Sequence, residues 1–285
     1  MDYIDYYHYN RYSHNCPVCG NIRSVDLIQD EKFYCFSCDR RFGYSYTHEI
    51  YFEKPKFSRI KSKLKEMSDR FINYIANKFN LEYVVIGKKL VKYRSNDKKT
   101  VRIPEGVRVI GKAVFIYHSE IEEIILPKSL RKINKAAFSN CTNLKVIVIP
   151  RYVEKLDAWA FWKCENLTYV QLPKKLRYIG MGVFCDNYRL NKINIPKKVI
   201  EIKQHTFKRC KSLTDINDLD GVYKIGKEAF KGCKSLSKIN IPEGVTSIGD
   251  CAFEGCTELS DIKLPEKAKI ADNAFDGCIK LVLNN

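Results

Sequence analysis

The sequence predicts a mainly β fold with some α, in which short stacked turns build a solenoid behind a small amino-terminal module. Three observations carry that prediction. A repeat of 23 residues fills the carboxy-terminal part of the 285-residue chain, two C-x2-C pairs lie near its start, and an amphipathic stretch separates them. Hydrophobic residues at 45% and aromatics at 12% are ample for packed cores, which excludes general disorder. No apolar run approaches the ~20 residues that span a bilayer. The first segment, "MDYIDYYHYNRYSHN", is polar and tyrosine-rich without an apolar stretch, so a cytoplasmic, intracellular protein is expected, with no membrane partner.

The first module, residues 1–45, is organised by "CPVCG" and "CFSC", which together read C-x2-C-x15-C-x2-C. Two turns that each present two thiolates make the tetrahedral four-sulfur site that Zn2+ prefers. Cys16, Cys19, Cys35 and Cys38 are therefore the expected ligands of one zinc ion. Between the pairs, "IRSVDLIQDEKFY" reads as strand, turn at Asp30 and Glu31, strand. The arrangement resembles a zinc ribbon. A redox C-x-x-C does not account for two matched pairs, and an iron–sulfur centre ranks lower. Four protein ligands leave no open coordination position, so the metal is expected to be structural.

Residues 46–100 follow as linker and cap. Residues 44–57 read as an extended link, and a helix is expected over about 58–80. There Ile60, Leu64, Met67, Phe71, Ile75 and Phe79 fall on one face at helical spacing, with Ser58 placed to cap the start. Arg59, Lys61, Lys63 and Lys65 decorate the other faces of its first turns. The apolar stripe is expected to cover the first end of the solenoid.

The solenoid itself, residues 101–285, is read from eight phenylalanines: Phe115, Phe138, Phe161, Phe184, Phe207, Phe230, Phe253 and Phe275. The step is 23 throughout except for a last step of 22. Prolines 104, 127, 150, 173, 196, 242 and 265 keep the same beat, with Leu219 in the one gap. The unit L-x-x-I-x-I-P-x-x-V-x-x-I-G-x-x-A-F-x-x-C is clearest in "LSKINIPEGVTSIGDCAFEGC". Alternating β-branched residues suit a short strand, proline ends it, and stacking buries what one unit alone would expose. Six cysteines lie three after the phenylalanine (Cys141, Cys164, Cys210, Cys233, Cys256 and Cys278), with His118 and Asn187 in the other two units. They are expected as a column of buried thiols and not as disulfides.

This unit resembles the BspA-like class of leucine-rich repeats. The resemblance implies a right-handed β-solenoid used for protein recognition, on a scaffold that many relatives export to the cell surface.

Charge locates the candidate surface. The chain carries +17, from 50 Lys+Arg and 33 Asp+Glu, which favours a polyanionic partner. Residues 101–126 have 3 basic and 4 acidic side chains, residues 127–198 have 15 and 4 (net +11), and residues 199–285 have 13 of each. A lysine-rich background would have spread the excess evenly. In the middle window Lys128, Arg151, Lys174, Lys175, Lys197 and Lys198 follow the proline by one or two positions. Arg131, Lys132, Lys155 and Arg177 follow it by four or five, so a basic ridge along one edge is expected. Both tryptophans, Trp159 and Trp162, fall in the same window with Tyr152, Tyr169 and Tyr178. Aromatics among cations suit protein hot spots and base stacking alike. Equally, the tryptophan pair can fold down over its small neighbours and fill a shallow groove.

No phosphate loop, no G-x-S-x-G and no His-based constellation is present, so no enzyme and no small-molecule substrate is expected. The expected function is a non-enzymatic interaction protein that binds a protein or nucleoprotein complex through the middle of the solenoid, with the zinc ribbon as second contact. An inhibitor or adaptor on a mobile element would have this form. The alternative is direct DNA or RNA binding along ribbon, basic helix and ridge.

Overall fold

A computed structural model describes residues 82–281 apart from 96, 217 and 218, together with Asn77 and four strands nearer the amino terminus. The elements bounded among these residues are all strands. The chain divides into two compact units, residues 1–94 and 95–285, and the solenoid expected from residue 101 falls inside the second.

In the first unit Val25–Gln29 pairs antiparallel with Lys32–Cys35, which pairs with Arg40–Tyr44, which pairs with Ile50–Phe52. The hairpin expected between the two cysteine pairs is therefore present in the backbone. The extended link expected over 44–57 instead contributes a paired strand, as "IYF" is a strong strand former. A second hairpin joins Tyr83–Ile86 to Lys89–Tyr93, and Gly87 at φ 64° supplies the positive φ that its two-residue loop needs. Tyr83 and Tyr93 lie opposite one another with ring centroids 5.3 Å apart. The helix expected over 58–80 lies outside the described residues but for Asn77. Cys16, Cys19 and Cys38 also lie outside them, and Cys35 is described as backbone at the end of its strand.

The second unit is a parallel β-solenoid of about eight turns. Its first ladder runs through Thr100–Arg102, Glu123–Ile125, Val146–Val148, Tyr169–Gln171, Lys192–Ile193 and Asp215–Ile216, and Lys238–Asn240 with Asp261–Lys263 carries it on. Within the unit, a second ladder runs through Val109–Ile110, Lys132–Ile133, Lys155–Leu156 and Tyr178–Ile179, then Glu201–Ile202, Lys224–Ile225, Ser247–Ile248 and Lys269–Ile270. The register repeats the sequence period: Val146 faces Tyr169 and Lys155 faces Tyr178. The shortened last step reappears as Ser247 facing Lys269.

The third side holds the phenylalanines. Successive rings stack with centroids 5.1 Å apart for Phe115–Phe138 and 5.9 Å for Phe161–Phe184, and interplanar angles of 13° and 10°. Each turn here is pinned by backbone bonds to the next, as where the Phe138 N–H donates to the Ala160 carbonyl at 2.8 Å. The residues two before and two after the phenylalanine take positive φ, including Ala136, Asn140, Trp159, Lys163, His205 and Arg209. Most are not glycine, so the repeating inter-turn bonds hold a backbone that single residues disfavour.

The thiol column is present as expected, and its bonds explain the choice of cysteine. Cys141 Sγ donates to the Phe115 carbonyl at 3.1 Å and Cys164 Sγ to the Phe138 carbonyl at 3.2 Å. Cys210, Cys233, Cys256 and Cys278 do the same one turn further on each time. Where asparagine replaces the thiol, Asn187 Nδ2 donates to the Phe161 carbonyl at 3.0 Å. The position therefore asks for a small buried donor that satisfies an otherwise orphaned carbonyl.

Candidate interaction surface

Alternation along the first ladder turns one residue of each strand into the core and its two neighbours outward. One outward column reads Thr100, Glu123, Val146, Tyr169, Lys192, Asp215; the other begins Arg102, Ile125, Val148, Gln171. Most turns place polar or charged residues there. Val146 and Val148 break that rule and are 40% and 50% exposed, with Tyr169 at 48% beside them. Together with half-buried Ile125 and Leu126 they floor a groove of about 680 Å³. Its remaining walls come from Glu123, Ile124, Lys128, Pro150, Arg151 and Tyr152. The sequence reading missed Ile125, Val146 and Val148. The signal for them was available, since they are the aliphatic exceptions at repeat positions four and two before the proline.

The basic residues expected to form the ridge are mostly at the surface. Lys128, Arg131, Arg151, Lys174, Lys175, Arg177, Lys197 and Lys198 are exposed, and Lys132 and Lys155 half-buried. They differ in how they are neutralised. Lys132 and Lys155 share Asp157 at 3.3 and 3.0 Å, and Lys197 meets Asp220 at 2.7 Å. Lys174, Arg177 and Lys198 have no acidic partner among the described residues. Arg131 donates to the backbone carbonyls of Ser129 and Leu130, and Arg151 donates to the Tyr152 hydroxyl at 2.5 Å. In the later turns lysines more often meet carboxylates of the same or a neighbouring turn: Lys231 with Glu254, Lys238 with Asp261, Lys280 with Glu258. The uneven net charge of the sequence thus becomes a difference of degree: ion pairs are fewer in residues 127–198, where Lys132, Lys145, Lys155, Lys192 and Lys197 nonetheless meet carboxylates.

Two tyrosines of the middle turns, Tyr152 and Tyr178, are already engaged by the protein, while Tyr169 stays exposed. The Tyr152 ring is flanked by Arg131, Arg151 and Lys175, at 4.3, 4.4 and 5.0 Å from its centroid. Tyr178 receives Lys155 at 4.4 Å and Lys203 at 5.4 Å. Such contacts hold the cations in place at a surface site.

The tryptophans fold down. Trp159 lies across Gly182, where a Cβ would stand 2.1 Å from the indole Cζ3. It also stacks on His205 of the turn beyond, centroids 6.0 Å apart, and meets Trp162 edge to face at 5.8 Å. Trp162 Nε1 donates to Asp186 Oδ2 at 3.0 Å, and the buried Asp186 in turn meets Arg209 Nε at 3.2 Å. Both indoles are half-buried. They brace three neighbouring turns beside the basic ridge, and their faces are largely spent on that task.

No group of three or more His, Cys, Asp or Glu among the described residues is arranged to hold a metal ion. Burial pushes the Cys141, Cys164, Cys210 and Cys233 thiols well above their ordinary range, and Cys185 up to about 12, so they stay protonated and unreactive. No helix among the described residues is long and apolar enough to cross a membrane.

Residues 85–214 and 201–283 match the family model described as a BspA-type leucine-rich repeat region. Among solved structures, a leucine-rich repeat protein of T. pallidum is 27% identical with a TM-score of 0.52, covering 68% of this chain and 82% of its own. One from Bacteroides ovatus is 29% identical with a TM-score of 0.44, and the match spans 70% of this chain but 65% of that protein. A leucine-rich cell surface protein of Faecalibacterium prausnitzii is 21% identical with a TM-score of 0.36, covering 90% of this chain and 94% of that one. No curated protein matches the chain.

Proposed function

Because the chain belongs to the BspA-type leucine-rich repeat family, we propose that it is a non-enzymatic interaction protein that binds a protein or nucleoprotein complex through the middle turns of its solenoid. The observation that carries this reading is a coincidence of place. Arg131 and Arg151, which have no acidic partner among the described residues, lie on the turns of the exposed aliphatic strand face, with Lys174, Arg177 and Lys198 on the two turns that follow, while in the later turns lysines are more often met by carboxylates. Exposed apolar area rimmed by exposed cations is the composition of a docking surface.

In the same proposal Cys16, Cys19, Cys35 and Cys38 hold one structural zinc ion, and the module around it supplies a second contact. The hairpin Val25–Gln29 with Lys32–Cys35, which joins the two cysteine pairs, supports that arrangement. The protein acts inside the cell, as an inhibitor or adaptor would.

Direct nucleic-acid binding is favoured by one observation, the exposed Lys174, Arg177 and Lys198 with no acidic partner among the described residues. Against it stands the occupation of Tyr152, Tyr178 and both indoles by the protein's own side chains, which leaves few free faces for bases to stack on. One experiment separates the readings. Capture from native lysate is compared for wild type and Arg151→Glu/Lys174→Glu/Arg177→Glu, beside titration of unrelated duplex DNA and RNA across a salt series. The expected outcome is a protein partner lost in the variant with the circular dichroism unchanged. Submicromolar, salt-steep binding to the nucleic acids overturns the proposal.

A further inference from the structure

The groove of the first ladder is specific enough to name the chemistry of what enters it. Its floor is aliphatic: Ile125, Val146 and Val148 turn outward from adjacent strands, and Pro150 closes one side. Its wall toward the ridge is cationic, with Lys128 and Arg151 exposed; the Lys128 backbone N–H donates to Glu105 Oε1 at 3.2 Å, and Arg151 has no acidic side-chain partner among the described residues. Arg151 is also held in position, with its guanidinium 4.4 Å from the Tyr152 centroid and a bond to that residue's hydroxyl. A fixed guanidinium loses less freedom when it binds a carboxylate and offers it paired donors.

We propose that this groove receives a segment of a partner protein that carries apolar side chains interspersed with carboxylates. An apolar side chain seats on Val146, Val148 and Ile125, and a neighbouring carboxylate meets Arg151 and Lys128. The inference rests on the reading that the middle turns bind a protein, and it adds where on those turns and to what. A volume of about 680 Å³ is within the range of sites that enclose small ligands or a few side chains.

Charge complementarity selects this occupant over a nucleic acid. Phosphates would be drawn to Lys128 and Arg151, but Glu123 lines the same groove and repels them. Bases would need ring faces, whereas the floor is aliphatic and Tyr152 is flanked by three cations. A peptide whose carboxylates are spaced by uncharged residues can set an acid at Arg151 and Lys128 and turn an uncharged residue toward Glu123, which a strand with a phosphate at every nucleotide cannot do. Its backbone N–H groups are donors for Glu123, whose carboxylate accepts a 3.4 Å bond from Thr100 Oγ1.

The test uses the full chain and three fluorescent probes: a short peptide alternating Asp with Leu, one alternating Asp with Ser, and single-stranded oligo-dT. The Asp/Leu peptide is expected to bind at least about tenfold tighter than the Asp/Ser peptide, as burial of one leucine provides. Val148→Asp is expected to erase that difference, Arg151→Glu to weaken both peptides, and Lys263→Glu in the late turns to change neither. Val148 is half exposed, so the variant leaves the core intact, and Val148→Ser with a circular dichroism spectrum checks this.

Equal binding of the two peptides, or indifference to Val148→Asp, overturns the groove. If Arg151→Glu still weakens them, the basic ridge and the proposed function survive that failure. Binding of oligo-dT with neither peptide bound overturns the groove and the protein-binding reading together. Absence of binding by all three probes overturns the groove, and lysate capture then judges the broader reading alone.

Discussion

The tightest constraint on a single residue is at Gly182. Its φ of 61° belongs to the left-handed region, and the space where a Cβ would stand is filled by the Trp159 ring. Gly182→Ala must therefore both strain the backbone and displace an indole. The expected cost is roughly 1–3 kcal/mol, read as a lower urea midpoint with an unchanged slope. In a Trp159→Ala background the steric part disappears and the backbone part stays, so the same substitution costs less but not nothing. Full additivity of the two changes would show that the indole does not rest on Gly182 in solution. Trp159 itself sits at φ 60°, where a bulky residue is rare. A tryptophan kept in that conformation is holding neighbouring turns together, which moves the energetic centre of the binding surface away from the indoles and toward Val148 and Arg151.

At the scale of the element, the thiol column gives the solenoid a pH limit. Burial raises the Cys141, Cys164, Cys210 and Cys233 thiols above the ordinary value of 9.0. A group whose pKa is raised on folding contributes stability that is whole below its unfolded value and lost as pH climbs above it. Each thiol that ionises only in the unfolded chain then removes about 1.4 kcal/mol per pH unit. Unfolding free energy is expected to fall steeply between about pH 9 and pH 11. Cys164→Ser keeps a donor for the Phe138 carbonyl but ionises far above this window, so it should make the fall shallower; an unchanged slope would remove the column as its cause. The column was legible in the sequence because a 23-residue period puts equivalent residues in register, and the phenylalanine stack and the first ladder were legible for the same reason, whereas the second ladder, two residues long in each turn, was not read. The groove was not legible by that route. Periodicity reveals what every turn shares, and Val146 and Val148 matter because they depart from it. The fate of the tryptophans was likewise hidden, as it turns on the missing side chain of Gly182 one turn away. The strand at Ile50–Phe52 went unseen because three residues beside a proline-containing stretch carry no alternation to read.

At the scale of the whole solenoid, charge is arranged at the expense of stability. The later turns match lysine to carboxylate across successive coils, as with Lys231 and Glu254 or Lys238 and Asp261. The middle turns stack Lys174, Arg177 and Lys198 near Lys128, Arg131 and Arg151 along the ridge, with no acidic partner among the described residues for Lys174, Arg177 or Lys198. Stacked units bring like charges close, and their repulsion acts on the folded form more than on the extended chain. A Debye length of about 8 Å at physiological ionic strength screens only part of it. If the surface is kept for binding, relieving the repulsion should stabilise the fold and harm recognition at once. Lys174→Glu and Lys198→Glu are therefore expected to move the urea midpoint upward at low salt, with the gain shrinking as salt is raised. The same variants are expected to bind the Asp/Leu peptide more weakly than wild type. Lys238→Glu makes the opposite case, since it breaks the pair with Asp261 in a compensated turn and should lower the midpoint without touching the peptide. Were Lys174→Glu and Lys198→Glu to destabilise the fold, the middle cations would be part of its scaffold and the uneven charge would need a structural cause. A gain in stability paired with a loss of binding ties the +11 of residues 127–198 to what this solenoid recognises.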